Sequence, residues 1–106
     1  MNEELVLEDK IISSAKRVFL KKGFEKAKMQ EIADTAGISR TALNYYFRAK
    51  DNLFYSIVNQ IFDGLLPHFE QVLEKQNQTF SERIADLVDT YNEFLRANPD
   101  IPFFII

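Results

Sequence analysis

The sequence contains no cysteine and no tryptophan, and it has only one histidine, three glycines and three prolines. Without cysteine, neither a disulfide framework nor a thiolate metal site can form. A single histidine provides too few ligands for a histidine-based zinc or iron centre. No run of about 18 apolar residues occurs, so the sequence predicts no membrane span. The acidic first ten residues do not look like a secretory signal, and we therefore expect a cytoplasmic protein.

Charge is divided unevenly along the 106 residues, whose net charge is −3. Ten lysines and arginines lie between Lys10 and Lys50 against three acidic residues, whereas nine acidic residues follow from Asp51 onward against three basic ones. A basic half joined to an acidic half is typical of a protein in which a basic nucleic-acid-binding surface is joined to an acidic remainder. Chance clustering of solvated charges is the alternative explanation for this pattern.

The scarcity of glycine and proline among many helix-forming residues predicts an all-α fold. Apolar residues at helical spacing place the first three helices at about 8–22, 29–36 and 39–47. Gly23 and Gly37 stand where glycine commonly ends a helix. Ser39 is a good N-cap for the third helix.

A fourth helix begins near Lys50, and we expect Pro67 to kink or end it because a proline inside a helix loses a hydrogen bond and clashes. Thr79 and Glu82 predict a capping box for a fifth helix, which the sequence Asn98-Pro99 ends. The fifth helix has six apolar residues at helical spacing that we expect to be buried: Ile84, Leu87, Val88, Tyr91, Phe94 and Leu95. The last six residues, IPFFII, form an apolar cluster, from which we expect that the sequence is a piece of a longer protein.

The stretch MQEIADTAGISRTALNYYF, residues 29–47, has the pattern of a helix-turn-helix, whose second helix enters the major groove of DNA. Ala33 is small where the two helices touch, and Gly37 can adopt the positive φ that the turn requires. Leu43 and Phe47 lie four residues apart and anchor the third helix by one face. An ordinary pair of helices with a polar outer face is the alternative on this pattern alone.

The outer face of the third helix is then left to four side chains of types that suit DNA: Arg40, Thr41, Asn44 and Tyr45. Arginine can bond in a bidentate manner to guanine O6 and N7, and asparagine can do the same to adenine. Threonine can meet a phosphate or a thymine methyl group, and tyrosine can contact a base edge or the sugar–phosphate backbone.

The order and spacing of KKGF, EIADTAGIS, the aromatic pair YF and RAKDNL resemble the TetR family of bacterial regulators, most closely over residues 10–58. The resemblance implies a three-helix DNA-binding domain at residues 1–48. It also implies that a long linking helix begins the remainder, residues 49–106, which would be the N-terminal part of a truncated helical domain for ligand binding and dimerisation. The expected partners are a double-stranded palindromic operator, a second copy of the protein and an unknown small-molecule effector. The expected role is that of a ligand-responsive repressor without a cofactor or a metal.

Carried over by matching positions, the resemblance implies that five residues of the recognition helix contact DNA bases or backbone: Ser39, Arg40, Thr41, Asn44 and Tyr45. It also implies contacts of four side chains with the DNA backbone: Lys28, Tyr46, Arg48 and Lys50. This sequence departs from the family, which often has glycine at the position of Thr41 and tyrosine at that of Asn44. Lys28 stands where serine or threonine usually caps the second helix, and it cannot cap in that way. The operator sequence is therefore not predictable from relatives.

Two other classes of function are weaker interpretations of the same residues. A helical adaptor could use the third helix to bind a protein, and such an apolar contact would not weaken steeply with salt. An enzyme or metal site could use the four carboxylates that recur along the fifth helix: Glu82, Asp86, Asp89 and Glu93. No histidine or nucleophile converges on them, and the lone His68 is more simply surface or core, so we expect no catalytic site.

Overall fold

The computed structural model describes residues 3–105, and the side chains of residues 3–103. These residues form helices joined by short turns, without a strand, which confirms the predicted all-α fold. The helices are α1 (Glu3–Lys22), α2 (Met29–Ala36), α3 (Arg40–Tyr46), α4 (Lys50–Glu74), α5 (Phe80–Ala97) and α6 (Ile101–Ile105). The chain divides within α4, after Val58, into an N-terminal and a C-terminal compact unit. No helix of the described residues is long and apolar enough to cross a membrane.

The core of the N-terminal unit lies where α1, α2 and α3 meet. Its largest fully buried side chains are aliphatic, namely Ile11, Ile32, Leu43, Leu53 and Ile57. The buried Ser14 hydroxyl donates to the carbonyl of Lys10 at 2.8 Å, so burial leaves this polar group with a partner. Helices α1 and α2 thus each bury an apolar face, which includes Ile11 in α1 and Ile32 in α2.

Helix α1 begins at Glu3, five residues before the predicted start near residue 8. The added residues Leu5 and Val6 are more than half exposed, so burial does not explain the extension. Glu3 and Glu4 lie in the first turn, where negative charge interacts favourably with the helix dipole. The prediction relied on an apolar stripe and missed a segment that has none.

Three phenylalanines fix the turn after α1. The Phe24 ring packs back on Phe19 of α1, with 5.5 Å between ring centroids. Phe54 of α4 meets both rings edge-on, at 6.2 Å from Phe19 and 5.5 Å from Phe24. Edge-to-face aromatic contacts of this kind each contribute about 0.5–1.5 kcal/mol beyond the area they bury. They tie the start of α4 to the loop between α1 and α2.

Helix α4 continues through Pro67, so the prediction that this proline could end the helix is wrong. Pro67 has no amide hydrogen to donate to the carbonyl of Asp63, but both residues are exposed and water can serve that carbonyl. Leu65 and Val72, on either side of the proline, are buried at 6% and 5% exposure. Burial of these side chains offsets the local penalty of the proline.

In the C-terminal unit, the capping box of α5 is confirmed. The Thr79 amide donates to Glu82 Oε1 at 3.0 Å, and the Glu82 amide donates to Thr79 Oγ1 at 3.1 Å. The helix ends at Ala97, before Asn98, as predicted.

The predicted buried side of α5 is wrong, since no residue of this helix is buried. Three of the six expected side chains are half-buried and three are exposed: Ile84 at 43%, Val88 at 52% and Tyr91 at 38%. Periodicity identifies residues that share a face, but it does not show whether another element covers that face. In the final apolar cluster Ile101 is buried and Phe103 is exposed, and the side chains of residues 104–106 lie outside those described.

Candidate nucleic-acid interface

The turn between α2 and α3 is built by hydrogen bonds that its own sequence provides. Gly37 has φ 73°, in the left-handed region, where a side chain is strained. The Gly37 amide donates to the Asp34 carbonyl at 3.1 Å, and the Ile38 amide donates to the Ala33 carbonyl at 3.0 Å, which together form a Schellman motif. The Ser39 hydroxyl then accepts from the Ala42 amide at 3.0 Å and starts α3.

Helix α3 has one buried and one exposed face. Leu43 is fully buried, and Phe47, at the C-cap, is half-buried. On the other side the four predicted residues are all exposed, with Tyr45 at 78%: Arg40, Thr41, Asn44 and Tyr45. The helix therefore presents a polar and aromatic surface about two turns long, supported from behind by Leu43.

Two of these side chains are already paired. Arg40 Nε donates to Asn44 Oδ1 at 3.3 Å, across one turn of α3. An exposed pair of this spacing contributes only about 0.2–0.5 kcal/mol. That is less than the roughly 1–3 kcal/mol of discrimination from a bidentate contact with a base, so DNA can separate the pair.

Tyr46 differs from its neighbour Tyr45, because it is half-buried. The two rings meet edge-on with 5.0 Å between centroids. Desolvation raises the pKa of the Tyr46 hydroxyl, and the negative charge of Glu4 and Glu8 raises it further. The hydroxyl keeps its proton at neutral pH and can act as a donor. The same carboxylates of α1 make this corner of the surface less basic than the rest.

A basic pocket of about 640 Å³ lies beside the start of α3. Four of its lining residues are cationic: Lys26, Lys28, Arg40 and Lys50. Glu25 is the acidic residue of the same lining. The pocket brings together cations that are separated by up to 24 positions in the sequence, and a concentration of this kind attracts anionic ligands.

Lys28 is the N-cap residue of α2 and makes no side-chain capping hydrogen bond, as predicted from the absence of an acceptor on its ammonium. Its backbone amide donates to Glu31 Oε1 at 3.1 Å. Glu31 also forms an ion pair with Lys22. The hydrogen bond that the Lys22 ammonium donates in this pair is the main cause that lowers the pKa of the Glu31 carboxyl. The exposed Lys28 ammonium thus remains at the edge of the basic pocket.

Lys50 takes part in interactions that the sequence did not predict. Its ammonium donates to the Phe24 carbonyl at 2.7 Å and to the Glu25 carbonyl at 3.1 Å. It also lies 4.7 Å from the centroid of the Phe24 ring, within the range of a cation–π contact. No sequence signal reveals these partners, because they lie 25 and 26 positions away in the sequence and both hydrogen-bond acceptors are backbone carbonyls.

Arg48 is exposed in the segment between α3 and α4. It lines a second depression, of about 440 Å³, together with Tyr45 and Tyr46. Asn52 and Tyr55 of α4 line the same depression, and sequence reasoning did not select them. Tyr55 is 66% exposed. It lies among the apolar residues of α4, so the sequence did not indicate that its ring is on the surface.

Two of the four carboxylates of α5 that could have formed an acid–base or metal site, Glu82 and Asp86, have structural partners. Glu82 belongs to the capping box, and Asp86 accepts from Lys75 Nζ at 3.1 Å and from Gln78 Nε2 at 2.6 Å. His68 is exposed, with its ring 6.4 Å from that of Phe94. Among the described residues no group of three or more histidine, aspartate or glutamate side chains is placed to hold a metal ion.

Comparison with known proteins agrees with this geometry. Residues 11–57 match the family model described as bacterial regulatory proteins, tetR family. The chain is 32% identical over 81 residues to "Probable HTH-type transcriptional regulator YttP" of Bacillus subtilis, which is 76% of this chain and 39% of that protein. It is 40% identical over 53 residues to the HTH-type transcriptional regulator RutR of Escherichia coli, 50% of this chain and 25% of RutR.

A third relative is the HTH-type transcriptional activator FasR of Mycolicibacterium smegmatis, 28% identical over 85 residues, which is 80% of this chain and 38% of FasR. The matched part of the chain thus spans less than half the length of each of these relatives. All three are named as transcription regulators and none as an enzyme. The helix-turn-helix geometry, the match over residues 11–57 and these relatives together show that the chain belongs to the tetR family of bacterial regulatory proteins.

Proposed function

We propose that this chain is the DNA-binding part of a sequence-specific transcription regulator and that α3 reads the operator. The observation that carries the proposal is the division of α3 into a buried Leu43 and an exposed outer face. A helix supported in this way can enter the major groove, whose width admits one helix. The proposed DNA-binding domain is the predicted segment 1–48, with residues 49–106 beginning the regulatory domain.

The proposed base contacts come from Arg40, Asn44 and Tyr45, which project beyond the helix backbone, with Thr41 and Ser39 at its first turn. Arginine matches the two acceptors of guanine, and asparagine matches adenine once its bond to Arg40 opens. Four residues are proposed to contact the DNA backbone: Lys28, Tyr46, Arg48 and Lys50. Such contacts provide affinity that depends strongly on salt but carry no sequence information.

The regulator is further proposed to act in the cytoplasm as a homodimer on a palindromic operator. Two copies of α3 would then enter major grooves about 34 Å apart, one helical turn of DNA. An effector bound in the helical domain would change the spacing of the two heads and so the affinity for DNA. We propose repression as the outcome, following the family resemblance. Since FasR is named an activator, a reporter assay that shows activation at the selected operator would reverse this part of the proposal.

Selection of bound oligonucleotides from a random pool, followed by fluorescence anisotropy on the selected duplex, tests DNA binding. We expect the wild-type chain to select a sequence, and Arg40→Ala and Tyr45→Ala to lose the preference for it over an unrelated duplex. Tyr91→Ala, which removes a tyrosine from the other unit, is the matched control and should bind as the wild type does.

Salt distinguishes DNA recognition from a protein-binding role of the same helix. Each phosphate contact contributes about 0.9 to the slope of log affinity against log salt concentration, so DNA binding should weaken steeply. If the chain selects no sequence and any binding is indifferent to salt, the proposal fails and the exposed face of α3 serves a helical adaptor instead.

A further inference from the structure

We infer that the second depression, beside the end of α3, is a further contact site for the DNA backbone, in which Asn52 and Tyr55 of α4 donate hydrogen bonds to a phosphate. This inference rests on the proposed function, because it extends the DNA-binding surface from α3 onto α4. Neither residue belongs to the recognition helix or to the four side chains already proposed to contact the backbone.

The second depression, of about 440 Å³, adjoins the face of α3 that is proposed to enter the groove. Tyr45 belongs both to that face and to the lining of the depression, and it is 78% exposed. An α-helix with its side chains is about 10–12 Å wide and the major groove is about 12 Å wide, so α3 would nearly fill the groove. The surface directly beside α3 would then lie against a sugar–phosphate backbone rather than against base edges.

The start of α4 has an apolar face and a polar face. Leu53 and Ile57 are fully buried in the core of the N-terminal unit. Asn52, Tyr55 and Ser56 are spaced three and four residues apart, so they share another face of α4, and all three line the second depression. Asn52 and Tyr55 are exposed. Burial of the two aliphatic side chains therefore fixes the polar face of α4 toward the depression.

Hydrogen-bond donors dominate the lining of the second depression. Tyr45, Tyr46 and Tyr55 each bring a phenolic hydroxyl, and Asn52 brings two amide N–H groups. Arg48 adds one cation, and none of the described residues in the lining is acidic. The charged oxygens of a DNA phosphate only accept hydrogen bonds, and asparagine and tyrosine are among the side chains that bond them in DNA complexes. The lining therefore complements a phosphate.

The two concave surfaces beside α3 would bind the DNA backbone in different ways. The basic pocket at the start of α3 brings four cations together, and cations release counterions from DNA when they bind it. The second depression has one cation, and its hydroxyl and amide donors are neutral, so their bonds release no counterions. Asn52 and Tyr55 should therefore contribute affinity that changes little with salt and is the same for every DNA sequence.

The first test removes each donor in the whole chain. Tyr55→Phe removes the hydroxyl and keeps the ring, and Asn52→Ala removes the amide. Each variant should bind the selected duplex and an unrelated duplex about fivefold more weakly in fluorescence anisotropy, because a neutral hydrogen bond is lost. The salt slope and the selected sequence should stay the same. Tyr91→Phe and Asn92→Ala, which make the same changes in α5, are the matched controls and should bind as the wild type does.

The second test locates the contact on the DNA. Single methylphosphonates, which are uncharged, replace each phosphate of the selected duplex in turn. If Tyr55 donates to a phosphate, the losses from Tyr55→Phe and from the methylphosphonate at that position should be less than additive, because both changes disrupt the same bond. A hydroxyl that only orients its neighbours in the protein would give additive losses at every position, and this result would overturn the inference.

The remaining outcomes separate this inference from the proposed function. If the wild-type chain selects a sequence and both variants bind it with wild-type affinity, the inference alone fails. A changed selected sequence in either variant would assign that side chain to base reading and would also overturn the backbone contact. If the wild-type chain binds no duplex at any salt concentration, the proposed function and the inference fail together.

Discussion

Alanine substitution of two residues on opposite faces of α3 should affect different properties of the protein, namely its stability and its recognition of DNA. Leu43 is fully buried behind the helix, and Tyr45 is 78% exposed in front of it, although only two positions separate them. Leu43→Ala should therefore destabilise the N-terminal unit, whereas Tyr45→Ala should leave its stability nearly unchanged and affect only DNA recognition. The pair tests whether α3 has a structural face and a separate functional one.

The expected magnitudes follow from burial. Removal of a fully buried leucine side chain, with the cavity it leaves, costs about 3 kcal/mol within a general range of roughly 2–5. That is a large part of the roughly 5–15 kcal/mol by which a domain is stable. Tyr45→Ala loses an exposed ring contact with Tyr46 and should cost about 0.5 kcal/mol.

Urea denaturation with amide exchange of Phe47 as a local probe measures both variants, because the Phe47 amide donates to the Leu43 carbonyl at 2.8 Å. With an m-value of about 1.5 kcal/mol/M, a loss of about 3 kcal/mol lowers the urea midpoint by about 2 M. Leu20→Ala, at a partly exposed site of α1, is the control and should shift it far less. A midpoint for Leu43→Ala within 0.3 M (about 0.5 kcal/mol) of the wild type would refute the packing described here.

Four further predictions concern the turn, α5 and the DNA backbone. Gly37→Ala should lower the free energy of unfolding by about 1 kcal/mol, and Gly37→Asn by less, because only the positive φ opposes a side chain there and no atom lies within 4 Å of the added Cβ. Thermal denaturation measures both variants, and equal melting temperatures of the wild type and the two variants would contradict this prediction. Thr79→Ala should destabilise α5 by about 1 kcal/mol. The pKa of the Glu82 carboxyl is lowered, mainly by the hydrogen bond that the Thr79 amide donates to it. The ionised carboxylate therefore stabilises the folded state fully above the ordinary glutamate pKa, and this stabilisation is lost as pH falls through the lowered pKa of the folded state. Glu82→Gln should remove this part of the pH dependence in urea titrations on the acidic side, and an unchanged dependence would exclude the assignment. Arg48→Met should lower the salt slope of DNA binding by about 0.9 while the selected sequence stays the same, and a changed preference would move Arg48 to the base-reading surface.

The candidate site was predictable from the sequence where local chemistry controls it. The turn at Gly37, the N-cap Ser39 and the exposure of the outer face of α3 all follow from residues within about ten positions of one another. The environment of Tyr46 was not predictable, because the carboxylates that raise its pKa lie about forty positions earlier in α1. Nor was the contribution of Tyr55, whose exposure depends on what the rest of the unit leaves uncovered.

Sequence alone determined the helical fold, the ends of α2 and α3, the capping box of α5 and the family, because caps, glycines and apolar periodicity act over one or two turns of a helix. The tertiary structure alone decided that α4 continues through Pro67, that the apolar face of α5 stays largely uncovered, and that Lys50 reaches two carbonyls of a distant loop. In each of these cases the deciding partner is far away in the sequence. Burial and charge pairing depend on neighbours in space, which a periodic pattern does not specify.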